Sequence, residues 1–129
     1  MNKVLITGIS GFAGSFLAEH LLTKNKEIYG TVLTNTSSEN LREIQERVHL
    51  VNLDLKDFSA VYKIIDSIKP DIIFHLAALT SPAESYKNPS ETINNNTAAE
   101  INILESVKDA KLLNTKILIT SSAEVYGIV

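Results

Sequence analysis

Short apolar runs alternate along the chain with segments in which apolar residues recur every three or four positions. Runs of this length are typical of strands buried in a parallel sheet, and the longer spacing is typical of helices packed against it. The pattern predicts strands over residues 4–6, 28–33, 49–53, 72–74 and 117–119. It predicts helices over residues 13–21, 40–48, 58–68 and 92–108.

This order of elements predicts an α/β domain over residues 1–129. Strands that alternate with helices need crossover connections, so the sheet should be parallel and doubly wound, with strand order 3-2-1-4-5. In the last helix we expect Ile101, Leu104 and Val107 to face inward. The segment 79–89 is predicted to be irregular and to lie at the carboxyl edge of the sheet, where such folds bind ligands.

Three glycines, Gly8, Gly11 and Gly14, follow the first strand directly and open the first helix. Glycine permits a tight turn, close approach of a pyrophosphate and close helix packing, which is the arrangement of a Rossmann dinucleotide site. The helix N-terminus adds backbone N–H groups and a partial positive charge. No Gly-Lys-Ser/Thr follows, which excludes a Walker-type loop. The predicted cofactor-binding residues in this loop are Gly8, Ser10, Gly11, Phe12, Ala13 and Gly14.

Composition limits the kinds of partner and metal site that we expect for this chain. The net charge is −3 and no Lys/Arg run occurs, which argues against a nucleic-acid or anionic-membrane partner. The absence of cysteine excludes disulfides and thiolate metal sites and fits a cytoplasmic location. No metal site is predicted.

The segment from Thr7 to Gly14 resembles the opening of the extended short-chain dehydrogenases/reductases, NAD(P)-dependent enzymes that act mostly on nucleotide sugars. The resemblance continues in register along the whole chain. It implies that the Asp54 carboxylate contacts the adenine and that Asn96 is the characteristic Asn of the family's long helix. The segment after the fourth strand would line the cofactor with its backbone, with His75 packed rather than catalytic. The cofactor-binding residues implied in this way are Asp54, Leu55, Leu76, Ala77, Ala78 and Asn96.

The end of the second strand should decide between NAD and NADP. An acidic residue there binds the ribose 2′-hydroxyl, and a basic residue accommodates a 2′-phosphate. Val32 and Leu33 stand there and are neither, while Asn35 and Ser37 lie in a polar segment that offers hydrogen-bond donors. The pattern favours NADP, with Ser37 among its ligands, and leaves NAD possible.

The segment after the fifth strand resembles the part of the family that holds the substrate oxygen at the reacting carbon. Ser122 takes the position of the catalytic Ser/Thr, with Ser121 as its alternative, and Ser121 is also implied to be a cofactor-binding residue. Glu124 matches the acid/base of nucleotide-sugar dehydratases, although Ala123 stands where those enzymes usually carry Asp or Ser. The family's Tyr-x-x-x-Lys pair does not occur in residues 1–129.

The resemblance implies an enzyme acting at C4 of a nucleotide-activated sugar, as a 4-keto reductase, a 4,6-dehydratase or a 4-epimerase, with slightly greater similarity to GDP-mannose enzymes. The alternatives are a non-catalytic NADP-binding sensor of the same fold and an unrelated phosphate-binding module. We expect residues 1–129 to be the N-terminal portion of the enzyme, inactive alone, weak in cofactor binding and prone to associate through the fifth strand. The full-length protein is expected to be a homodimer or homotetramer.

Overall fold

A computed structural model describes residues 2–34 and 36–127 of the chain. Its helices and strands follow the predicted alternation except over residues 40–48, where 3₁₀ turns replace the predicted helix, and over residues 82–87, where an additional helix occurs. The strands are β1 (Lys3–Thr7), β2 (Glu27–Val32), β3 (His49–Asn52), β4 (Ile72–His75) and β5 (Lys116–Ile119). The α-helices are α1 (Phe12–Leu22), α2 (Phe58–Ile68), α3 (Pro82–Lys87) and α4 (Pro89–Asp109).

The strands form one parallel sheet in the order β3-β2-β1-β4-β5, which confirms the predicted topology. β1 lies at the centre, with Val4 opposite Ile28 of β2 and Ile72 of β4. The chain therefore winds first towards β3 and then, after β3, crosses to β4 on the other side of β1. This reversal is the point at which open parallel sheets bind ligands.

Alternation of side chains along β1 supplies a core on each face of the sheet. Val4 and Ile6 face one side, where they pack in a cluster with Ala18 of α1. Leu5 faces the other side, in a cluster with Ile65 of α2 and further residues of α2 and α4. The helices thus cover both faces, as the doubly wound fold requires.

Local sequence sets the ends of α2. Asp57 caps its N-terminus, where the carboxylate accepts a hydrogen bond from the Ala60 backbone N–H at 3.1 Å. At the other end Lys69 adopts a left-handed conformation with φ 52°, and Pro70 follows. The proline is incompatible with a further helical turn, so the chain enters β4 at once.

The predicted helix over residues 40–48 is wrong. The segment forms two 3₁₀ turns, Glu39–Leu41 and Gln45–Arg47. Leu41, Ile44 and Val48 are buried, but the intervening residues are exposed. A segment this short has little helical stability of its own, so packing of these few apolar side chains decides its path.

Two further expectations need correction. The segment 79–89 is not wholly irregular, because α3 occupies Pro82–Lys87 and the Ser81 hydroxyl accepts a hydrogen bond from the Glu84 N–H at 3.3 Å. In α4, Val107 is buried as expected, but Ile101 and Leu104 are 52% and 41% exposed. The buried residues of α4 are instead Ala99, Ile103, Ser106 and Val107.

None of the helices in the described ranges is both long enough and apolar enough to cross a membrane.

Candidate functional site

A cleft of about 370 Å³ opens at the carboxyl edge of the sheet, at the point where the strand order reverses. It is walled by the glycine loop after β1, the ends of β2 and β3, and the segment after β4, while α4 contributes part of one side. The cleft brings together these predicted residues: Gly8, Ser10, Gly11, Phe12, Ala13, Gly14, Asp54, Leu55, Leu76, Ala77 and Ala78. It also contains Thr31, Val32, Leu33, Thr36, Leu53, Leu79, Thr80, Asn95 and Ala99.

The glycine loop is compact because two of its glycines leave no room for a side chain. Gly8 has φ +68°, and a Cβ on it would lie 2.9 Å from the Cα of Ala77. A Cβ on Gly14 would lie 2.4 Å from the Gly8 carbonyl oxygen, so α1 packs directly on the loop. A Cβ on Gly11 would have only the Gly8 carbonyl oxygen close to it, at 3.3 Å.

The space in front of Gly11 suits an anionic ligand. Gly11 caps α1 and has no side chain to occupy the end of the helix, and no acidic residue lies in the first helical turn. The partial positive charge of the helix N-terminus is therefore directed at the cleft without an opposing carboxylate. These are the features that a pyrophosphate group requires.

Contacts on the far side of the loop hold its backbone in place. Ile9 is fully buried and lies over β2, so close that a Cβ on Gly30 would be 2.4 Å from its Cδ1 atom. Asn40 donates a hydrogen bond from Nδ2 to the Ser10 carbonyl at 2.9 Å. The loop is thus anchored by a core side chain and by an amide from the first 3₁₀ turn.

A buried hydrogen-bond network joins β1 to the segment after β4. The Thr7 Oγ1 atom accepts hydrogen bonds from the backbone N–H groups of Leu76 and Ala77, each at 3.1 Å. The same oxygen lies 2.7 Å from the Nδ1 atom of His75. A hydroxyl has one proton and two lone pairs, so Thr7 donates its proton to Nδ1, and the imidazole carries its own proton on Nε2.

His75 is packed in the core, as the sequence predicted, and is 5% exposed. Burial lowers the pKa of its imidazole below the ordinary value of 6.5, and the charge of Glu100 opposes this shift. A neutral imidazole is the form that the Thr7 hydrogen bond requires. The residue fixes the backbone beneath the cleft and does not itself line it.

Asp54 lies at the lip of the cleft in a tight turn. Its backbone carbonyl accepts a hydrogen bond from the Asp57 N–H at 3.0 Å, and its Oδ1 atom accepts one from the Lys56 N–H at 2.9 Å. The Lys56 Nζ atom lies 3.9 Å from Oδ2, and the Asp54 side chain is half-exposed. The carboxylate can therefore accept a hydrogen bond from a ligand in the cleft.

Asn96 does not line the cleft. Its side-chain amide binds the backbone of Leu79 twice, since Oδ1 accepts from the N–H at 2.8 Å and Nδ2 donates to the carbonyl at 3.1 Å. The neighbouring Asn95, which was not predicted from the sequence, lies on the cleft wall. Asn95 and Ala99 are one helical turn apart, and that spacing was the available signal.

Other predicted residues lie outside the cleft. The Ser37 hydroxyl accepts a hydrogen bond from the Glu39 N–H at 3.3 Å, and it is Thr36 of this segment that contributes to the cleft wall. Ser121 and Ser122 are exposed beyond the end of β5. Asn35 and the side chain of Glu124 lie outside the described residues.

The segment that carries the two serines is nevertheless tied to the sheet. The Thr120 N–H and hydroxyl both reach the His75 carbonyl, at 3.5 Å and 3.3 Å. The Ser122 carbonyl accepts a hydrogen bond from the Val125 N–H at 3.2 Å. Among the described residues, no group of three or more His, Cys, Asp or Glu side chains could hold a metal ion.

Comparison with known proteins gives consistent matches. A family model described as GDP-mannose 4,6 dehydratase matches residues 5–129. A GDP-mannose 4,6-dehydratase of Yersinia enterocolitica serotype O:8 is 34% identical over an alignment of 139 positions, gaps included, that covers 100% of this chain and 37% of that protein. The chain thus spans little more than a third of the length of this curated relative.

Solved structures of epimerases superimpose closely on this fold. The UDP-Glc/GlcNAc 4-epimerase of Campylobacter jejuni superimposes with a TM-score of 0.89 at 28% identity, covering 98% of this chain and 39% of that one. The UDP-glucose 4-epimerase of Bifidobacterium longum, solved in complex with NAD+ and UDP, gives a TM-score of 0.86 at 26% identity. That match covers 98% of this chain and 38% of the epimerase.

Proposed function

Because the chain belongs to the GDP-mannose 4,6-dehydratase family, we propose that it forms the cofactor-binding region of an enzyme acting at C4 of a nucleotide-activated sugar. The observation that carries this proposal is the cleft at the strand reversal, where the glycine loop, Asp54 and the segment after β4 meet. When bound, the nicotinamide cofactor would accept or return a hydride at the sugar carbon.

The residues of the cleft fit a dinucleotide. The space in front of Gly11, at the N-terminus of α1, would hold the pyrophosphate. Asp54 would accept a hydrogen bond from the adenine amino group at one end of the cleft. The backbone of Leu76, Ala77 and Ala78 would line the other end, held in position by Thr7.

We propose NADP as the preferred cofactor. Leu33 lies on the cleft wall at the end of β2, where a carboxylate would otherwise bind the 2′-hydroxyl and repel a 2′-phosphate. Thr36 lies on the same wall and offers a hydroxyl donor. Ser37 follows it in sequence, and its hydroxyl, which accepts from the Glu39 N–H, keeps a proton that it could donate to a phosphate.

Titration of the chain with NADPH and NADH, followed by nicotinamide fluorescence, tests the cofactor assignment. We expect binding of both, with the lower dissociation constant for NADPH. Leu33→Asp should invert the preference, since the new carboxylate repels the 2′-phosphate and accepts from a 2′-hydroxyl. Gly11→Val should abolish binding of both, because its side chain fills the pyrophosphate space. Tighter binding of NADH by the unmodified chain would refute the NADP assignment.

We propose that Ser122 hydrogen-bonds the substrate oxygen at the reacting carbon, with Ser121 as the alternative and Glu124 as an acid/base. The position of both serines just past β5, which pairs with β4, supports this role. In the active enzyme Ser122→Ala should lower kcat by about 10²-fold or more, the scale of help from a positioned proton donor, and leave cofactor affinity unchanged. Equal turnover of the variant and the wild type would contradict the catalytic role of Ser122.

We also propose that the enzyme is a homodimer or homotetramer. The supporting observation is an exposed apolar stripe on α4, formed by Ile93, Ile101 and Leu104. Size-exclusion chromatography with light scattering should show a multimer. Ile101→Asp should shift it to the monomer, while a monomeric wild type would contradict the proposal.

A further inference from the structure

Asn102, in the middle of α4, reaches the turn that carries Asp54. Its Nδ2 atom donates a hydrogen bond to the Leu55 carbonyl at 2.8 Å, in a partly buried position. The two residues are 47 positions apart in sequence, and the bond joins α4 to the segment between β3 and α2. The Leu55 side chain packs in the core cluster that contains residues of α2 and α4, on the face of the sheet that these helices cover.

The Leu53 N–H ties the start of this turn to β2, since it donates to the Val32 carbonyl at 2.9 Å, and the other polar contacts described for the turn lie within it or at the start of α2. Asp57 donates to the Asp54 carbonyl, the Lys56 N–H donates to the Asp54 carboxylate, and Asp57 caps α2. These bonds hold the shape of the turn but not its position across the cleft. Asn102 supplies a hydrogen bond from outside, and it does so from the helix that also contributes Asn95 and Ala99 to the cleft wall.

We propose that Asn102 is a positioning residue that fixes the Asp54 turn at the adenine end of the cleft. The inference rests on the proposed function, in which the Asp54 carboxylate accepts a hydrogen bond from the adenine amino group. Without the amide the Leu55 carbonyl loses its side-chain donor, and the turn can shift relative to α4. The carboxylate then no longer meets the base in a fixed place, so adenine recognition weakens while the pyrophosphate site is untouched.

The experiment compares two ligands that differ only at the base. One is NADPH, and the other is its analogue with unsubstituted purine, in which a hydrogen atom replaces the adenine amino group and N1 stays an acceptor. Binding is measured for the wild type, for Asn102→Ala and for the control Asn94→Ala, an exposed residue of the same helix. We expect Asn102→Ala to weaken NADPH binding about five-fold, the scale of one hydrogen bond, and to change analogue binding by less than about two-fold. Asn94→Ala should bind both ligands as the wild type does.

A double-mutant cycle tests whether Asn102 acts through Asp54. Added to Asp54→Ala, Asn102→Ala should cause no further loss of NADPH affinity, because the acceptor that it positions is already gone. Melting curves check the fold of each variant, and Asn102→Asp, which keeps the side-chain shape but cannot donate, replaces the alanine variant if that variant does not fold. Equal weakening of both ligands, or additive losses in the cycle, would overturn the inference and leave Asn102 a purely structural residue. A wild-type chain that binds neither NADPH nor NADH would overturn the proposed function, and this inference with it.

Discussion

Replacing Gly14 with alanine should destabilise the domain far more than the same change at Gly11. The new Cβ at position 14 would lie 2.4 Å from the Gly8 carbonyl oxygen and 2.8 Å from the Ile9 Cα, both backbone atoms that cannot rotate away. At position 11 the nearest atom would be 3.3 Å away, which a small adjustment relieves. Gly11→Ala is therefore the matched control, since both changes add one methyl group to the same loop.

The magnitude follows from the size of the overlap. Carbon atoms pack at roughly 3.5–4.0 Å, so α1 must move by about 1 Å to admit the methyl group at position 14. Overpacking costs about 1–3 kcal/mol, and a backbone obstacle places Gly14→Ala at the upper end. The better helix propensity of alanine offsets up to about 1 kcal/mol, which leaves a net loss of about 2 kcal/mol. Gly11→Ala should stay within about 1 kcal/mol of the wild type.

Thermal unfolding followed by far-ultraviolet circular dichroism measures the difference. For a domain of this size a loss of about 2 kcal/mol lowers Tm by roughly 6–10 °C. Urea unfolding of the same proteins gives the free energies of unfolding directly and shows whether the slope is unchanged. A Tm for Gly14→Ala equal to that of Gly11→Ala would refute the claim that close packing of α1 on the loop requires glycine.

The remaining predictions concern buried polar groups. Thr7→Val should lower the free energy of unfolding, measured by urea unfolding, by about 2–4 kcal/mol, because it leaves the N–H groups of Leu76 and Ala77 without their acceptor. A loss below about 1 kcal/mol would contradict the importance of this hydrogen-bond network. Ser106→Ala should raise the free energy of unfolding by about 1 kcal/mol, because the buried Ser106 hydroxyl has no hydrogen-bond partner within the described residues. A variant less stable than the wild type would contradict this prediction. The lowered pKa of His75 means that the unfolded chain binds a proton more readily than the folded one, so stability should fall as the pH drops below about 6.5. His75→Gln should flatten this dependence between pH 7 and 5, and identical slopes for the two proteins would exclude His75 as the cause.

The sheet and the cleft could be predicted because both depend on short-range signals. Continuous apolar runs identify buried parallel strands, and a doubly wound sheet, with helices on both faces, needs a reversal of strand order that places β1 at the centre. Gly8, Asp54 and Ala77 each follow a strand, so the parallel topology brings them to one edge without any knowledge of side-chain packing. The resemblance to extended short-chain dehydrogenases/reductases, which rested on those segments, is confirmed by the family match.

The errors occurred where packing between distant segments decides the outcome. In α4 the spacing of Ile101, Leu104 and Val107 suggested the inward face, but the buried residues are Ala99, Ile103, Ser106 and Val107. On this face the small Ala99 and Ser106 leave room for α4 to approach the core closely. The sequence around Ser81 and Glu84 carried a capping signal for α3 that the two nearby prolines obscured. Ser121 and Ser122 follow β5 at the edge of the sheet and lie outside the cleft, which extends from the segment after β4 towards β3, so their assignment stays a prediction.

The burial of Ile9 over Gly30 makes the ligand loop a part of the hydrophobic core. A loop that must be ordered by its ligand gives up binding free energy for that ordering, but this one is already ordered by folding. Dinucleotide binding should therefore need little rearrangement of the loop backbone, and the amide proton of Gly11, which is bonded to the Gly8 carbonyl at 3.0 Å, should be protected from exchange with or without ligand. The same coupling means that a substitution beneath Ile9, far from any phosphate, weakens binding by releasing the loop rather than by removing a contact.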